Sequence, residues 1–319
     1  HYPTHLWRNG EKVPLDNTFF KAHQKLPADA DPDDPASYAA YVGADYSMDR
    51  LTEAALDVVR AHQDRPFFLY VPYLVPHVAL QVPTDSVAAY DGAFEETPYA
   101  GGRGYLPHRT PRAAYAAMIS RMDRDIGRIV DLVDELGLAE HTLIAFSSDN
   151  GPTYVGGVDR AFFDRAGGLR GHKGQLYEGG IRVPMIVRWT GTIAPGTVTD
   201  HVSAFQDVLP TFVELAGGTV PGGLDGVSFL PTLRGDTAVQ AQHDALYWEH
   251  ARRWQAVRVG RWKAVRKRPT HAIELYDLET DPGETTDLAP QRLDVLRRLA
   301  PRFDGERTPS EHFPLVADK

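Results

Sequence analysis

The sequence contains no cysteine. Disulfides and thiol catalysis are therefore excluded within this chain, which leaves the compartment open. No apolar run approaches the roughly 20 residues that a membrane-spanning helix needs, and the first residues carry no signal-peptide pattern. Positive charge is in deficit, with 34 Lys and Arg against 43 Asp and Glu for a net charge of -9. That balance argues against a nucleic-acid partner, which would need a basic face. The one basic passage, Arg252 to Arg268, alternates with Trp254, Val257, Val259, Trp262 and Val265, and is expected to form solvated strand faces. An initiator methionine is missing as well: the chain opens on His1-Tyr2-Pro3-Thr4, and an upstream segment is expected. Export to a periplasm or to the exterior would follow if that segment carried a signal.

What is present is enough for a sizeable core, since 42% of the 319 residues are hydrophobic. Asn9-Gly10 between short extended runs signals a two-residue hairpin. From Ser47, Leu51, Ala55, Val58 and Val59 recur at helical spacing as far as His62. Phe67 to Val71 is a continuous apolar run of the kind found in a central strand buried on both faces. His77 follows that run, where ligands collect in open α/β sheets. The stripe Tyr115, Met118, Met122, Ile126, Ile129, Val133 and Leu136 predicts a long helix stopped by Gly137. Thr142 to Phe146 and Val183 to Trp189 read as buried strands, and Phe205 to Ala216 as a short helix interrupted by Pro210.

The character then changes. Ala245 to His250, Trp254 to Val259, Arg261 to Arg266 and Glu274 to Leu278 predict an antiparallel meander, followed by a helix from Gln291 to Phe303. The expected fold is α/β. A mostly parallel central sheet sandwiched by helices would occupy residues 1–235, and a smaller C-terminal subdomain with an antiparallel sheet residues 236–319.

The chemistry concentrates between Ser147 and Pro184. Asp149 and Asn150 follow a strand directly, so a carboxylate and an amide oxygen can face one point beyond its end. Hard oxygen donors of this kind suit Ca²⁺ or Mg²⁺ rather than zinc, although Asp-Asn-Gly-Pro is equally good turn chemistry. Lys173, between Gly171 and Gly174, is a point charge on a flexible loop. With His77 from another strand end, it could stabilise a tetrahedral oxyanion beside a metal. Asp91 to Pro111 and Thr153 to Ala166 are expected to line the mouth of the site, with Tyr99, Tyr105, Tyr154, Phe162 and Arg165 available to a substrate.

Four signatures carry a resemblance that covers nearly the whole chain. They are Pro76-His77, Phe146 to Gly151, Leu169-Arg170-Gly171-His172-Lys173-Gly174, and Glu178-Gly179-Gly180-Ile181-Arg182-Val183-Pro184. The chain resembles the formylglycine-dependent sulfatases (type I, arylsulfatase-like) of the alkaline-phosphatase-like superfamily. The resemblance implies hydrolysis of an organic sulfate ester on a small molecule or carbohydrate. It implies that Asp149 and Asn150 bind a calcium-type ion, that Lys173 bridges sulfate and leaving group, and that His77 is the acid toward the departing alcohol. Arg170 and Glu178 would fix the loop, and His172 has no assigned role.

One departure is large. The family's nucleophile is a formylglycine made from Cys-x-Pro-Ser-Arg or Ser-x-Pro-Ser-Arg, and neither motif occurs here. The paired Asp ligands that normally precede the matched part are also unaccounted for. The chain therefore looks like the C-terminal two-thirds of a sulfatase, with the N-terminal segment of the same protein as the expected partner and no sulfatase turnover of its own. Two rivals remain at this point: a phosphoesterase or phosphonate hydrolase of the same superfamily, and a non-catalytic fragment that keeps the fold.

Overall fold

Asn9 and Gly10 both adopt positive φ, 52° and 87°, and join β1 (His5–Arg8) to β2 (Glu11–Pro14) as the two-residue hairpin that Asn-Gly favours. The computed structural model describes residues 1–102 and 104–316. The described chain divides into two compact units, His1–Ala139 with Thr153–Arg165, and Glu140–Pro152 with the chain from Ala166 onward. The boundary expected near residue 235 lies inside the second unit, between a short helix and the meander.

The first unit is built on α1 (Ser47–His62), the short α2 (Thr84–Ala88) and α3 (Pro111–Glu135). Pro111 opens α3, where its missing N–H costs nothing. Gly137, at φ 70°, stops it: the amides of Gly137 and Leu138 turn back to the carbonyls of Asp134 and Val133. The apolar stripe of α3 packs on α1 and on the Val75–Val82 segment around Met48, Leu80, Ala114, Ala117 and Met118. Polar contacts also fix the helix pair: Thr52 Oγ1 reaches Asp125 Oδ2 at 3.3 Å, Arg121 Nη2 lies 2.6 Å from Asp49 Oδ2, and Arg128 pairs with Glu53.

The apolar run Phe67 to Val71 differs from expectation. It forms no ladder among the described residues, and Phe68 and Tyr70 are 74% and 75% exposed. Its side chains alternate instead, with Phe67, Leu69 and Val71 turned partly inward and Phe68, Tyr70 and Leu74 outward. An apolar run becomes a doubly buried strand only where neighbours cover both faces, and here the face bearing Phe68 and Tyr70 stays exposed.

In the second unit β3 (Ile144–Ser147), the short helix α4 (Glu178–Ile181) and β4 (Met185–Arg188) form a loop-and-return structure. The two strands pair antiparallel, with Ser147 opposite Met185 and Ile144 opposite Arg188, so the parallel crossover expected here is not formed. The connection therefore leaves and re-enters at the same end of the pair. All ladders among the described residues are antiparallel.

Next come α5 (Val208–Leu215) and α6 (Leu230–Leu233). Pro210 sits in the first turn of α5, where it removes no intrahelical bond and does not interrupt the helix. The meander forms as its alternation predicts: β5 (Leu246–His250), β6 (Trp254–Val259), β7 (Trp262–Arg266) and β8 (Glu274–Asp277) in sequential order. One face of this sheet packs on α7 (Leu293–Leu299) and α8 (Arg302–Gly305) through Val257, Ala264, Leu275, Leu299 and Phe303. The other covers Leu176 and Tyr177, the residues that lead into α4.

Candidate active site

Antiparallel return brings both ends of the Ser148–Pro184 connection to one place in the second unit. Asp149 is exposed and Asn150 half-buried. Asn150 Nδ2 donates to the Gly151 carbonyl at 3.0 Å, which leaves its Oδ1 uncommitted. The Gly151 amide donates to Gly180 O at 3.0 Å, and the Lys173 amide to Pro152 O, also at 3.0 Å. Lys173 is thus tied by its own backbone to the turn that carries Asp149 and Asn150. Its ammonium makes no ion pair with any described residue.

The Arg170–Gln175 loop can close this tightly because Gly179 and Gly180 lack side chains. A Cβ on Gly180 would stand 2.0 Å from Gln175 O and 2.7 Å from His172 O; one on Gly179 would stand 2.6 Å from Arg170 O. The Gly179 amide donates to Arg170 O at 2.7 Å across the same approach. Gly171 and Gly174, at φ 93° and 85°, give the loop its reversals on either side of Lys173. His172 Nδ1 donates to Lys173 O at 2.8 Å.

Arg170 and Glu178 face the meander. Arg170 Nη1 donates to Tyr276 Oη at 2.7 Å and to Glu284 O at 3.0 Å, and its guanidinium lies 3.9 Å from the centre of the Tyr177 ring. Burial works against the Arg170 charge, but Tyr177, Tyr276 and Glu274 prevail and hold its pKa above the ordinary value. Glu274 accepts from Tyr177 Oη and Tyr276 Oη, both at 2.6 Å. Burial pushes its carboxyl up, yet those two hydroxyls and Lys267 bring it below the usual range. Glu178 is buried: Lys263 Nζ donates to its Oε1 at 2.8 Å, and its own amide donates to Glu284 Oε2 at 2.6 Å. Burial raises the Glu284 pKa, and Lys263 offsets part of that rise.

Lys263 corrects the reading of Arg252 to Arg268 as solvated strand faces, because its side chain is 0% exposed. Both faces of β7 are covered, so the lysine has no solvated side on which to lie. Sequence reasoning also missed Glu284, Glu274 and Tyr276. The available signal was a single lysine inside the apolar run Trp262-Lys263-Ala264-Val265, where a buried cation requires a buried carboxylate.

His77 belongs to the first unit, whereas Asp149, Asn150 and Lys173 belong to the second. Its Nδ1 donates to Val78 O at 2.5 Å, which leaves Nε2 as the nitrogen able to meet a ligand. Tyr105 packs against the ring edge-on with centroids 5.9 Å apart, and the His23 ring lies tilted against Tyr105 at 4.7 Å. Gly156 and Gly157 press the 153–165 loop onto Val78, Tyr105 and Tyr99, where a Cβ would come within 2.8 Å of Val78 and 2.7 Å of Tyr99. Of the other residues expected at the mouth, Tyr154 and Phe162 are exposed and Arg165 lies over Tyr115.

A hard cation fits the donor set in the second unit only in part. Asp149 and Asn150 offer uncommitted oxygens, but calcium takes six to eight. Among the described residues no group of three or more His, Asp or Glu side chains could hold a metal by itself.

Comparison with known proteins gives a consistent outcome. Residues 2–218 match the family model described as "Sulfatase", and residues 171–307 match "N-sulphoglucosamine sulphohydrolase, C-terminal". The chain is 32% identical to the steryl-sulfatase of Mus musculus over 278 residues, covering 76% of this chain and 41% of that protein. It is 31% identical to the arylsulfatase A of Homo sapiens over 274 residues, covering 74% and 48%. It thus spans about half the length of the curated relatives it matches. Among solved structures, "Ps i-CgsB in complex with k-i-k-neocarrahexaose" superposes with a TM-score of 0.67 at 26% identity, covering 82% of this chain and 55% of the other.

Proposed function

The chain belongs to the sulfatase family and has its alkaline-phosphatase-like α/β fold, and from that premise we propose that it supplies the oxyanion-binding side of a site that hydrolyses organic sulfate esters. The observation that carries this reading is the Lys173 ammonium. It is unpaired among the described residues and tied through Pro152 to the turn bearing Asp149 and Asn150. Lys173 holds a sulfate oxygen and stabilises the charge that grows on the ester oxygens as the S–O bond breaks. His77, its Nδ1 proton held by Val78 O, presents Nε2, which when protonated donates to the departing alcohol oxygen. Asp149 and Asn150 are two of the oxygen donors for a cation of the Ca²⁺ or Mg²⁺ class. Held by these donors, such an ion would supply neutralisation of the sulfate charge. Arg170 and Glu178 position the loop, because their side chains point to the meander.

The nucleophile and the remaining metal ligands come from residues outside these 319, in the N-terminal segment of the same protein. The Phe67–Leu74 segment, which turns Phe68, Tyr70 and Leu74 outward, supports this reading because it is the kind of exposed apolar surface that a further stretch of chain would cover. A carbohydrate sulfate is the favoured substrate class, supported by the neocarrahexaose complex of the similar Ps i-CgsB structure.

The experiment is to read the codons upstream of His1 and assay the gene product that includes them for sulfate release from aryl and sugar sulfates. A Cys- or Ser-x-Pro-Ser-Arg motif with sulfate release supports the proposal. An intact reading frame without the motif, and without turnover, contradicts it.

A further inference from the structure

Arg112 and Arg165 make reciprocal contacts in the first unit. Arg112, in the first turn of α3, lays its guanidinium over Phe162 of the 153–165 loop, 4.1 Å from the ring centre. Arg165, from that loop, lays its own over Tyr115 of α3 at 5.1 Å. The two differ in what they donate to. Arg112 donates to Asp159 Oδ2 at 2.8 Å and to the Glu95 carbonyl. Arg165 has no acceptor among the described residues, although its Nε, Nη1 and Nη2 are all buried.

That deficit is severe. A guanidinium carries five N–H donors and stays charged, so it cannot relieve burial by losing its proton. Its contact with the Tyr115 ring offsets only part of the lost hydration, because it satisfies none of the donors. The loop's own Asp159 is committed to Arg112 and to the amides of Ala161 and Phe162. An oxyanion from elsewhere would supply the missing acceptors, two at once.

We propose that Arg165 anchors a small-oxyanion site that takes a sulfate or carboxylate group edge-on in the two-pronged geometry of guanidinium, while Tyr115 backs the ring-facing side. The group is either a free anion or a second anionic substituent on a saccharide. Because all three guanidinium nitrogens are buried, an anion reaches them only when the loop bearing the exposed Arg160, Ala161, Phe162 and Asp164 shifts aside. The proposal does not rest on the sulfate-ester chemistry proposed above.

Thermal unfolding in a Lys173→Ala background, which silences the other candidate anion group, provides the test. Sodium sulfate is titrated against sodium chloride at equal ionic strength. With Arg165 present, sulfate raises the unfolding midpoint saturably. Arg165→Met abolishes the saturable part of the rise, leaving the non-saturating stabilisation that excluded sulfate gives any protein, and unfolds in chloride at the same or a higher temperature, because it removes a buried charge that had no acceptor. Arg165→Lys keeps the charge without the fork and raises the half-saturating sulfate concentration by about tenfold or more. An equal sulfate response with and without Arg165, or with Lys in its place, overturns the proposal.

The second arm separates the two sources in the active protein by comparing a saccharide carrying one sulfate with the same saccharide carrying a second anionic group. If the substituent occupies the site, Arg165→Lys raises KM for the doubly charged substrate alone and leaves kcat unchanged. An unchanged KM beside a positive thermal result assigns the site to a free anion. Absence of any turnover would count against the sulfatase reading and leave the thermal result standing.

Discussion

Lys263 Nζ donates to Glu178 Oε1 at 2.8 Å, joining the middle of the C-terminal meander to the helix that follows the Lys173 loop, with both side chains removed from solvent. Glu284 Oε1 stands 2.9 Å from the same nitrogen. Two carboxylates thus share one ammonium, and Arg170 is clamped nearby by Tyr276, Tyr177 and the Glu284 carbonyl. The C-terminal subdomain acts as the mould that shapes the loop.

Replacing Lys263 by Met leaves Glu178 and Glu284 facing each other without a counter-charge. The expected cost is about 3–5 kcal/mol of unfolding free energy, the range for removing one partner of a buried ion pair. Adding Glu284→Gln to that variant should recover part of the loss. Urea unfolding of the two single variants and the double variant checks this, and additive losses would contradict the coupling.

Gly180→Ala should displace the Lys173 loop without any change of charge. Its Cβ would fall 2.0 Å from Gln175 O, a backbone atom that cannot swing aside as a side chain could. We expect faster amide hydrogen exchange across His172–Gln175 and a lower melting temperature. Protection equal to the parent would show that the close approach is not needed.

Acid sensitivity should trace in part to His108. Burial holds its imidazole down at about 4, and its Nδ1 accepts from the Thr110 amide at 3.1 Å, a bond lost on protonation. The unfolded chain takes up its proton near the ordinary value of about 6.5, so the contribution is full above that pH and is lost as the pH falls toward 4. Between pH 7.5 and pH 5 the parent should lose about 2 kcal/mol more than His108→Gln, since by linkage the unfolded state binds the proton first. Denaturant midpoints at the two pH values measure this, and equal losses would place the acid sensitivity elsewhere.

Much of the fold was legible because local rules govern it. Asn9-Gly10, the α3 stripe with its Gly137 stop, and the four strands of the meander all fell where turn chemistry and alternation put them. The stretch between Ser147 and Pro184 was legible as a tightly closed loop too, since Gly171 and Gly174 stand where the backbone reverses and Gly179 and Gly180 where it approaches closely. Other features were not legible, and two show why. Phe67 to Val71 reads as a buried strand, but burial depends on neighbours that a local run cannot specify. Lys263 reads as a solvated residue of an alternating strand, but β7 is covered on both faces, and only tertiary packing reveals that its ammonium meets Glu178 and Glu284.

The measurement closest to the central claim is sulfate release by the gene product that includes the upstream nucleophile, compared between the parent and Lys173→Ala. If Lys173 holds a sulfate oxygen in the transition state, kcat/KM falls by about 10²–10³-fold, the size seen when one oxyanion donor is removed, while the melting temperature stays near that of the parent. A variant that keeps kcat/KM within about threefold of the parent, well short of one lost oxyanion donor, would contradict the account.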